Sequence, residues 1–254
     1  MHSENAAEKI LDVRELSKRF GGVRAVDNIS FHLYRGELLG IIGPNGSGKT
    51  TLVNLITGFV RPDSGKVIFL DQDITGWMPY KIAALGIART FQMARPFAGL
   101  PAFKNLIIPL YSRRVRKLLG GKYGDRDAVS KDLLEEVGFE RDSAVITKTA
   151  GSLPHGYLKR LELAKCLALR ADLIILDELF SGLSIAELAS ILPIIEKLLA
   201  EGKTIVMIEH RLRELFKIAS RVVVLNYGSV IAEGKPAEVM DKDEVKKAYL
   251  GTED

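Results

Sequence analysis

One eight-residue segment constrains this chain more than any other part of it. Residues Gly43 to Thr50 read Gly-Pro-Asn-Gly-Ser-Gly-Lys-Thr, which matches the phosphate-loop pattern at every specified position. The apolar run Glu37–Ile42 precedes the segment, and a helix is predicted to follow over Gly48–Thr57. A glycine-rich turn that merely joins a strand to a helix is the alternative, but it would leave the lysine and the hydroxyl unexplained. The segment therefore predicts binding of a nucleoside triphosphate.

The chemistry of such a loop depends on its backbone. Glycines let successive N–H groups curl around a phosphate, and the N terminus of the following helix adds a favourable dipole. Lys49 brings a mobile positive charge to the outer phosphates and is a candidate catalytic residue, and the Thr50 hydroxyl is a candidate Mg²⁺ ligand. The candidate nucleotide-binding residues of the loop are Gly43, Pro44, Asn45, Gly46, Ser47, Gly48, Lys49, Thr50 and Thr51.

A second apolar segment ends in two carboxylates. Residues Leu173–Leu176 are predicted to form a buried strand, and Asp177 and Glu178 follow it directly. Ligands of open α/β sheets bind at the carboxyl ends of the strands. Asp177 is therefore a candidate Mg²⁺ ligand, and Glu178 is a candidate catalytic group that polarises a water beside the γ-phosphate. The alternative is an acidic pair that merely stabilises a helix N terminus.

The order of predicted elements favours an α/β fold. Short strands dominate the first third, the middle is basic and helical, and strands alternate with helices in the last third. This order predicts a mostly parallel sheet covered by helices on both faces. The other predicted strands cover 9–16, 29–34, 67–70, 204–208 and 222–225, a turn covers 58–65, and the other predicted helices cover 111–119, 128–137, 156–169, 186–200 and 213–219.

Composition excludes several classes of protein. At 47% hydrophobic residues the 254-residue chain can bury a substantial core, and its net charge of +4 is too small for a strong nucleic-acid footprint, so no nucleic-acid partner is expected. The single cysteine, Cys166, fits a reducing compartment and a packed core position. No apolar run reaches membrane-helix length, and the first residues lack signal-peptide features. We expect a soluble protein whose membrane role comes through a partner.

With the phosphate loop and the acidic pair in place, the chain resembles an ATP-binding subunit of an ABC transporter over nearly its whole length. The resemblance implies a phosphate-loop NTPase fold with an N-terminal antiparallel β-subdomain and a helical subdomain at about residues 93–165, inserted in a single domain over 1–254. It implies that Phe20 stacks on adenine, although Phe20 could instead be a core residue at a strand end. Gln92 matches the glutamine that touches ATP-bound Mg²⁺, and His210 matches the catalytic histidine that contacts the γ-phosphate. The loop that reaches across the dimer corresponds to Ser181, Gly182, Leu183 and Ser184.

Several short segments resemble the branched-chain amino-acid importer ATPases in particular. They are Arg19-Phe20-Gly21-Gly22, Ile56-Thr57-Gly58, Arg89-Thr90-Phe91-Gln92, Ile208-Glu209-His210-Arg211 and Ala248-Tyr249-Leu250-Gly251. This resemblance implies ATP and Mg²⁺ as cofactors, and two membrane permeases and a second ATPase as partners. It also implies a cytoplasmic location on the inner face of the membrane, and ATP-driven import of branched-chain amino acids or related small polar solutes.

Three alternatives stay open beside this function. One is a lipopolysaccharide-type export ATPase, which shares several of these features. Another is a subunit that binds ATP with little turnover. The third is a non-transport ABC ATPase of DNA repair or translation, but those proteins need long coiled coils or a duplicated cassette, and this chain has neither.

The signature loop departs from the family pattern. Most relatives read Leu-Ser-Gly-Gly-Gln there, whereas this chain reads Leu153, Pro154, His155, Gly156 and Tyr157. Pro154 lacks both the hydroxyl and the N–H that the family donates to the partner's ATP, and losing one hydrogen bond to a charged group costs about 1.5–3 kcal/mol. We expect an intact catalytic half, a weak signature, and a hetero-dimer in preference to a homodimer. Ser184 replaces the usual aspartate, and Leu179 replaces a proline, for which we find no rationale.

Overall fold

The structure is a computed structural model that describes residues 8–120 and 124–250, apart from the side chain of Leu250. The chain forms two compact units. Residues up to 82 and from 202 onward make up the first unit, and residues 83–201 make up the second. Gly251, the last residue of the predicted closing motif, lies outside the described residues.

The first unit opens with an antiparallel sheet, as the family resemblance implies. Strand β1 (Lys9–Phe20) pairs with β2 (Val23–Tyr34) on one side and with β4 (Ser64–Phe69) on the other, and β5 (Gln72–Asp73) follows β4. The first two strands run longer than the predicted 9–16 and 29–34, since backbone pairing continues through polar positions such as Arg19 with Arg24.

The predicted boundary between turn and strand near residue 65 is wrong. Strand β4 already begins at Ser64, which pairs with Ser17 of β1, and Gly65 continues the strand, although both residues are typical of a turn. Leu70 lies beyond the end of β4, and its positive φ of 48° departs from extended backbone.

The second sheet region of the first unit is mostly parallel. Strand β3 (Leu38–Ile42) runs parallel to β8 (Thr204–Ile208) and β9 (Arg221–Asn226), and β10 (Ser229–Gly234) is antiparallel to β9. Every residue of β3 and β8 is buried, which explains their uninterrupted apolar sequences. The helices within this unit are α1 (Lys49–Ile56), α8 (Leu212–Ile218), α9 (Pro236–Met240) and α10 (Asp243–Leu250), and α2 (Pro79–Leu85) includes the point where the units divide.

The second unit combines a parallel strand pair with helices. Strand β6 (Ile87–Arg89) runs parallel to β7 (Leu173–Asp177), all of whose residues are buried. The helices are α3 (Ile107–Leu110), α4 (Arg113–Leu118), α5 (Arg126–Glu136), α6 (His155–Ala168) and α7 (Ile185–Ala200), with 3₁₀ turns at Phe103–Leu106, Ala144–Thr147 and Ala150–Ser152. The sequence-predicted helices in this region are confirmed to within two residues at each end. The fold class is also confirmed.

The described residues, 8–120 and 124–250, include no helix with the length and apolarity that crossing a membrane requires.

Cys166 provides a test of the packing around α6. Its side chain is buried, and burial raises the pKa of the thiol to about 12. A thiol with this pKa stays protonated and unreactive at pH 8, because only the thiolate attacks disulfides. We expect no reaction of the native protein with a chromogenic disulfide reagent, and one reacting thiol per chain after unfolding in urea. Rapid reaction of the native protein would contradict the packing described here.

Candidate functional site

The phosphate loop joins β3 to α1 and is pressed against neighbouring backbone. Gly43 has φ 150°, and a Cβ there would lie 2.1 Å from the carbonyl oxygen of Leu225. Gly48 has φ 104°, and a Cβ there would lie 2.3 Å from the carbonyl oxygen of Ala25. Both positions therefore accept only glycine, because any side chain would collide with main-chain atoms.

Lys49 folds back onto the loop that precedes it. Its Nζ donates hydrogen bonds to the carbonyl oxygens of Gly43 at 2.8 Å and Pro44 at 2.9 Å, and it lies 3.3 Å from Ser47 Oγ. The side chain is only 6% exposed, whereas Asn45, Gly46 and Thr50 are exposed. The loop therefore holds a buried cation on one side and offers its tip to solvent.

This arrangement fits a polyphosphate. Helix α1 begins at Lys49 without a side-chain cap and carries no acidic residue in its first turn, so its N-terminal dipole is not neutralised from within the helix. Gly46, with φ 79°, leaves open space where a Cβ would be. Within residues 8–120 and 124–250, no cluster of three or more histidine, cysteine, aspartate or glutamate side chains could hold a metal.

Phe20 and His210 also lie in the first unit. Phe20 ends β1 and is 49% exposed, with the Lys18 ammonium 5.5 Å from its ring centroid. The alternative that Phe20 is a core residue is therefore wrong. His210 is exposed and follows β8, and the parallel register of Ile41 with Ile208 brings the ends of β3 and β8 to the same sheet edge. His210 and the phosphate loop thus leave the sheet side by side.

In the second unit, Asp177 is part of a buried ion pair. Arg89 Nη2 lies 2.6 Å from Asp177 Oδ2, and the two side chains are 8% and 4% exposed. The Thr90 hydroxyl also accepts a hydrogen bond from the backbone N–H of Asp177 at 3.0 Å. These contacts fix the carboxylate at the end of β7. The sequence did not reveal Arg89 as its partner, because the two residues are 88 positions apart.

Glu178 and Gln92 are also brought together in this unit. Gln92 Nε2 donates to Glu178 Oε2 at 2.8 Å, and the buried Lys159 Nζ donates to the carbonyl oxygens of both residues, at 2.9 Å and 3.0 Å. Glu178 has a positive φ of 50°, a conformation that costs a non-glycine residue about 1–2 kcal/mol. Lys159 therefore helps to hold a strained turn. In the sequence, only the position of Lys159 indicated that it is buried: it lies three residues after Gly156 and four before Leu163, on the same face of α6.

The signature loop and the cross-dimer loop contact each other within the chain. Pro154 occupies the capping position of α6, which begins at His155. His155 Nε2 lies 3.2 Å from the carbonyl oxygen of Ser181, so this nitrogen carries the proton. A Cβ on Gly182 would lie 2.9 Å from the same nitrogen.

Other residues of the two loops are buried or packed against their own chain. Leu153 and Leu183 are buried, and the rings of Tyr157 and Phe139 are 4.9 Å apart. Ser184 caps α7 and accepts a hydrogen bond from the backbone of Glu187. Hence only part of each loop is available to another molecule.

The Arg89–Asp177 pair can be tested by its effect on stability. We expect Arg89→Met to lower the free energy of unfolding in urea by about 3–5 kcal/mol, because it leaves the buried carboxylate without its cation. Arg116→Met, which removes the same charge from an exposed position on α4, serves as the control. It should change the free energy of unfolding by less than about 0.5 kcal/mol. Equal effects of the two substitutions would contradict the importance of the pair.

Two family models match the chain. The model described as ABC transporter matches residues 26–181, which include the phosphate loop, Gln92, the signature loop, and Asp177 and Glu178. The model described as Branched-chain amino acid ATP-binding cassette transporter matches residues 229–254, from β10 to the end of the chain.

Individual relatives are similar over almost the whole chain. The chain is 34% identical to the high-affinity branched-chain amino acid transport ATP-binding protein BraF of Pseudomonas aeruginosa, covering 95% of this chain and 98% of that protein. It is 33% identical to the LivG protein of the same description from Escherichia coli K12, covering 96% and 99%.

Solved structures agree with these relatives. A nucleotide-free ATP-binding cassette from an ABC transporter superposes with a TM-score of 0.82 at 31% identity, covering 96% of this chain and 99% of that one. An ABC transporter cassette in its ADP conformation gives the same TM-score and identity. The chain therefore belongs to the ABC transporter family, as one of its ATP-binding, ATP-hydrolysing subunits.

Proposed function

We propose that this chain powers the import of branched-chain amino acids, or of related small polar solutes, by hydrolysing ATP in a membrane transporter. The match of residues 229–254 to the branched-chain amino-acid model carries this proposal, because that segment lies outside the general ABC match at 26–181. The names of BraF and LivG support the same substrate class. A branched-chain amino acid substrate argues against a lipopolysaccharide-type export ATPase.

We expect the nucleotide to be bound by the residues that match the family motifs. The loop from Gly43 to Thr51 would hold the phosphates by backbone N–H groups and Lys49, and Phe20 offers an exposed ring on which adenine can stack. Thr50, Gln92 and Asp177 would hold Mg²⁺, which neutralises charge that develops on the phosphates. His210 would contact the γ-phosphate.

Glu178 is the candidate general base. Its side chain accepts a hydrogen bond from Gln92, and Lys159 holds its carbonyl. A carboxylate held in this way is suited to orient a water for attack on the γ-phosphate and to accept its proton. Lys49 would stabilise the negative charge that accumulates on the outer phosphates.

The subunit would act in a dimer bound to two permeases. We expect one cassette domain with the helical insert at 93–165, placed on the cytoplasmic, inner face of the membrane. ATP would close the dimer, and hydrolysis would open it. Ser181 to Ser184 would reach across that dimer.

One observation favours the alternative of little turnover. Pro154 caps α6 without any side-chain hydrogen bond, so this signature loop presents neither the hydroxyl nor the N–H that the family uses at that position. For this reason we favour a hetero-dimer, in which a second ATPase supplies a complete signature to the catalytic half of this chain.

The role of Glu178 predicts a stalled enzyme when its carboxylate is removed. Glu178→Gln should bind ATP as the wild type does, while hydrolysis in the assembled transporter should fall about 10²- to 10⁴-fold, because general-base catalysis is lost. ATP binding and phosphate release are the two measurements. Glu140→Gln, an exposed change in the same unit, is the matched control and should leave both unchanged. Rapid turnover by Glu178→Gln would refute the assignment.

The weak signature predicts a dependence on the partner ATPase. The purified chain alone should hydrolyse ATP at least about tenfold more slowly than a complex reconstituted with the two permeases and the second ATPase that copurify with it, since a homodimer would place Pro154 at both sites. Pro154→Ser should raise the rate of the chain alone. A family-typical rate from the unmodified chain would show that this signature loop is functional.

A further inference from the structure

The signature loop ends at a helix N terminus whose donors come from backbone alone. Helix α6 has 14 residues and begins at His155, and Pro154 at the capping position makes no side-chain hydrogen bond. The first N–H groups of a helix have no partner within it, and together they attract an anion. Whatever lies against these groups therefore decides how well the loop can bind a phosphate.

A carboxylate of the same chain lies there. A Cβ built on Gly156 would be 2.3 Å from Glu187 Oε1, so this oxygen lies against the backbone at the start of α6. Glu187 Oε2 accepts hydrogen bonds from the backbone N–H and the hydroxyl of Ser184, both at 2.8 Å. The carboxylate thus caps α7 and at the same time lies beside the N terminus of α6.

Glu187 is ionised under physiological conditions. The hydrogen bonds from the Ser184 backbone and hydroxyl hold its pKa below the usual range, and the Gly156 N–H and the charge of His155 act in the same direction. The carboxylate is a fixed negative charge beside the signature loop. It is supplied by α7, because the first turn of α6, like that of α1, carries no acidic residue.

His155 adds a second link between the same two loops. Its Nε2 donates to the carbonyl oxygen of Ser181, and its ring lies against Gly182. The signature loop is therefore tied to the cross-dimer loop from two neighbouring positions, His155 and Gly156. Two of the residues in these contacts, His155 and Ser184, are places where the chain departs from the family pattern.

We propose that Glu187 is a positioning residue that keeps this signature loop self-capped and lowers its affinity for the γ-phosphate of the partner's ATP. This inference rests on the proposed function, because it requires the signature loop to face a second ATPase. An approaching phosphate would meet a like charge and would have to displace the carboxylate from the space beside Gly156. The loop is thus weakened by an occupied helix N terminus in addition to the missing groups of Pro154.

ATP-dependent self-association of the purified chain tests this role. In a Glu178→Gln background, which holds ATP without turnover, the dissociation constant of the dimer is measured by sedimentation velocity with saturating ATP and Mg²⁺. Adding Glu187→Gln should lower that constant at least about tenfold, since it removes a charge while leaving an amide oxygen that can accept from Ser184. Glu196→Gln, an exposed change on the same helix α7, is the matched control and should have no effect.

A purely structural role would give the opposite result. If Glu187 only stabilises the two helices, Glu187→Gln will reduce the melting temperature and leave the dissociation constant unchanged or raised, which would overturn the proposal. Should Glu187→Gln fail to fold, Glu187→Asp replaces it: its shorter carboxylate withdraws from Gly156, and association should again strengthen.

Equilibrium dialysis with ATP distinguishes a failure of the proposed function from a failure of the role proposed for Glu187. If the Glu178→Gln chain does not bind ATP, the proposed function is wrong and the role of Glu187 falls with it. If every variant binds ATP equally well and Glu187→Gln does not strengthen association, the role of Glu187 alone is wrong.

Discussion

Close backbone contact at Gly43 and Gly48 is the constraint on which the phosphate loop depends. The carbonyl oxygens of Leu225 and Ala25 occupy the space that side chains would need at these two positions. The Gly228 N–H donates to the Ser47 carbonyl oxygen at 3.0 Å, so the loop is also bound to the turn between β9 and β10. The shape that receives phosphate is therefore set by strands packed around the loop, and the glycines of the motif follow from that packing.

The sequence predicted the buried elements well and the peripheral ones poorly. Strands β3, β7 and β8 are buried at every residue, and apart from Asp177 and Thr204 they are apolar runs of five residues, a length that favours a strand. Helices α6 and α7 were predicted to within one residue. In contrast, the short elements β5, β6, β10, α2, α3, α9 and α10 were not predicted, because they have two to eight residues each and give too little periodic signal. Their structure depends on neighbours that a local pattern does not contain.

The same distinction applies to the site. Lys49, Asp177 and Glu178 could be identified because each directly follows a loop or strand with its own signal. The residues that hold them could not, since their partners are far away in the chain: Arg89 is 88 positions from Asp177, and Lys159 is 67 from Gln92. A sequence shows the type of residue at a position, but it does not show which distant group that residue contacts.

Two helix N termini in this chain show how neighbouring charge decides what the same backbone can do. Both α1 and α6 begin with backbone N–H groups that have no partner within the helix and with a favourable dipole, and neither helix has an acidic residue in its own first turn. At α1 the nearby charge is the Lys49 ammonium, so an anion is attracted. At α6 the nearby charge is the Glu187 carboxylate, brought by α7, so a second anion is repelled. In the dimer that we propose, such a chain would offer one strong half and one weak half, and that difference is the physical reason for proposing an unlike partner.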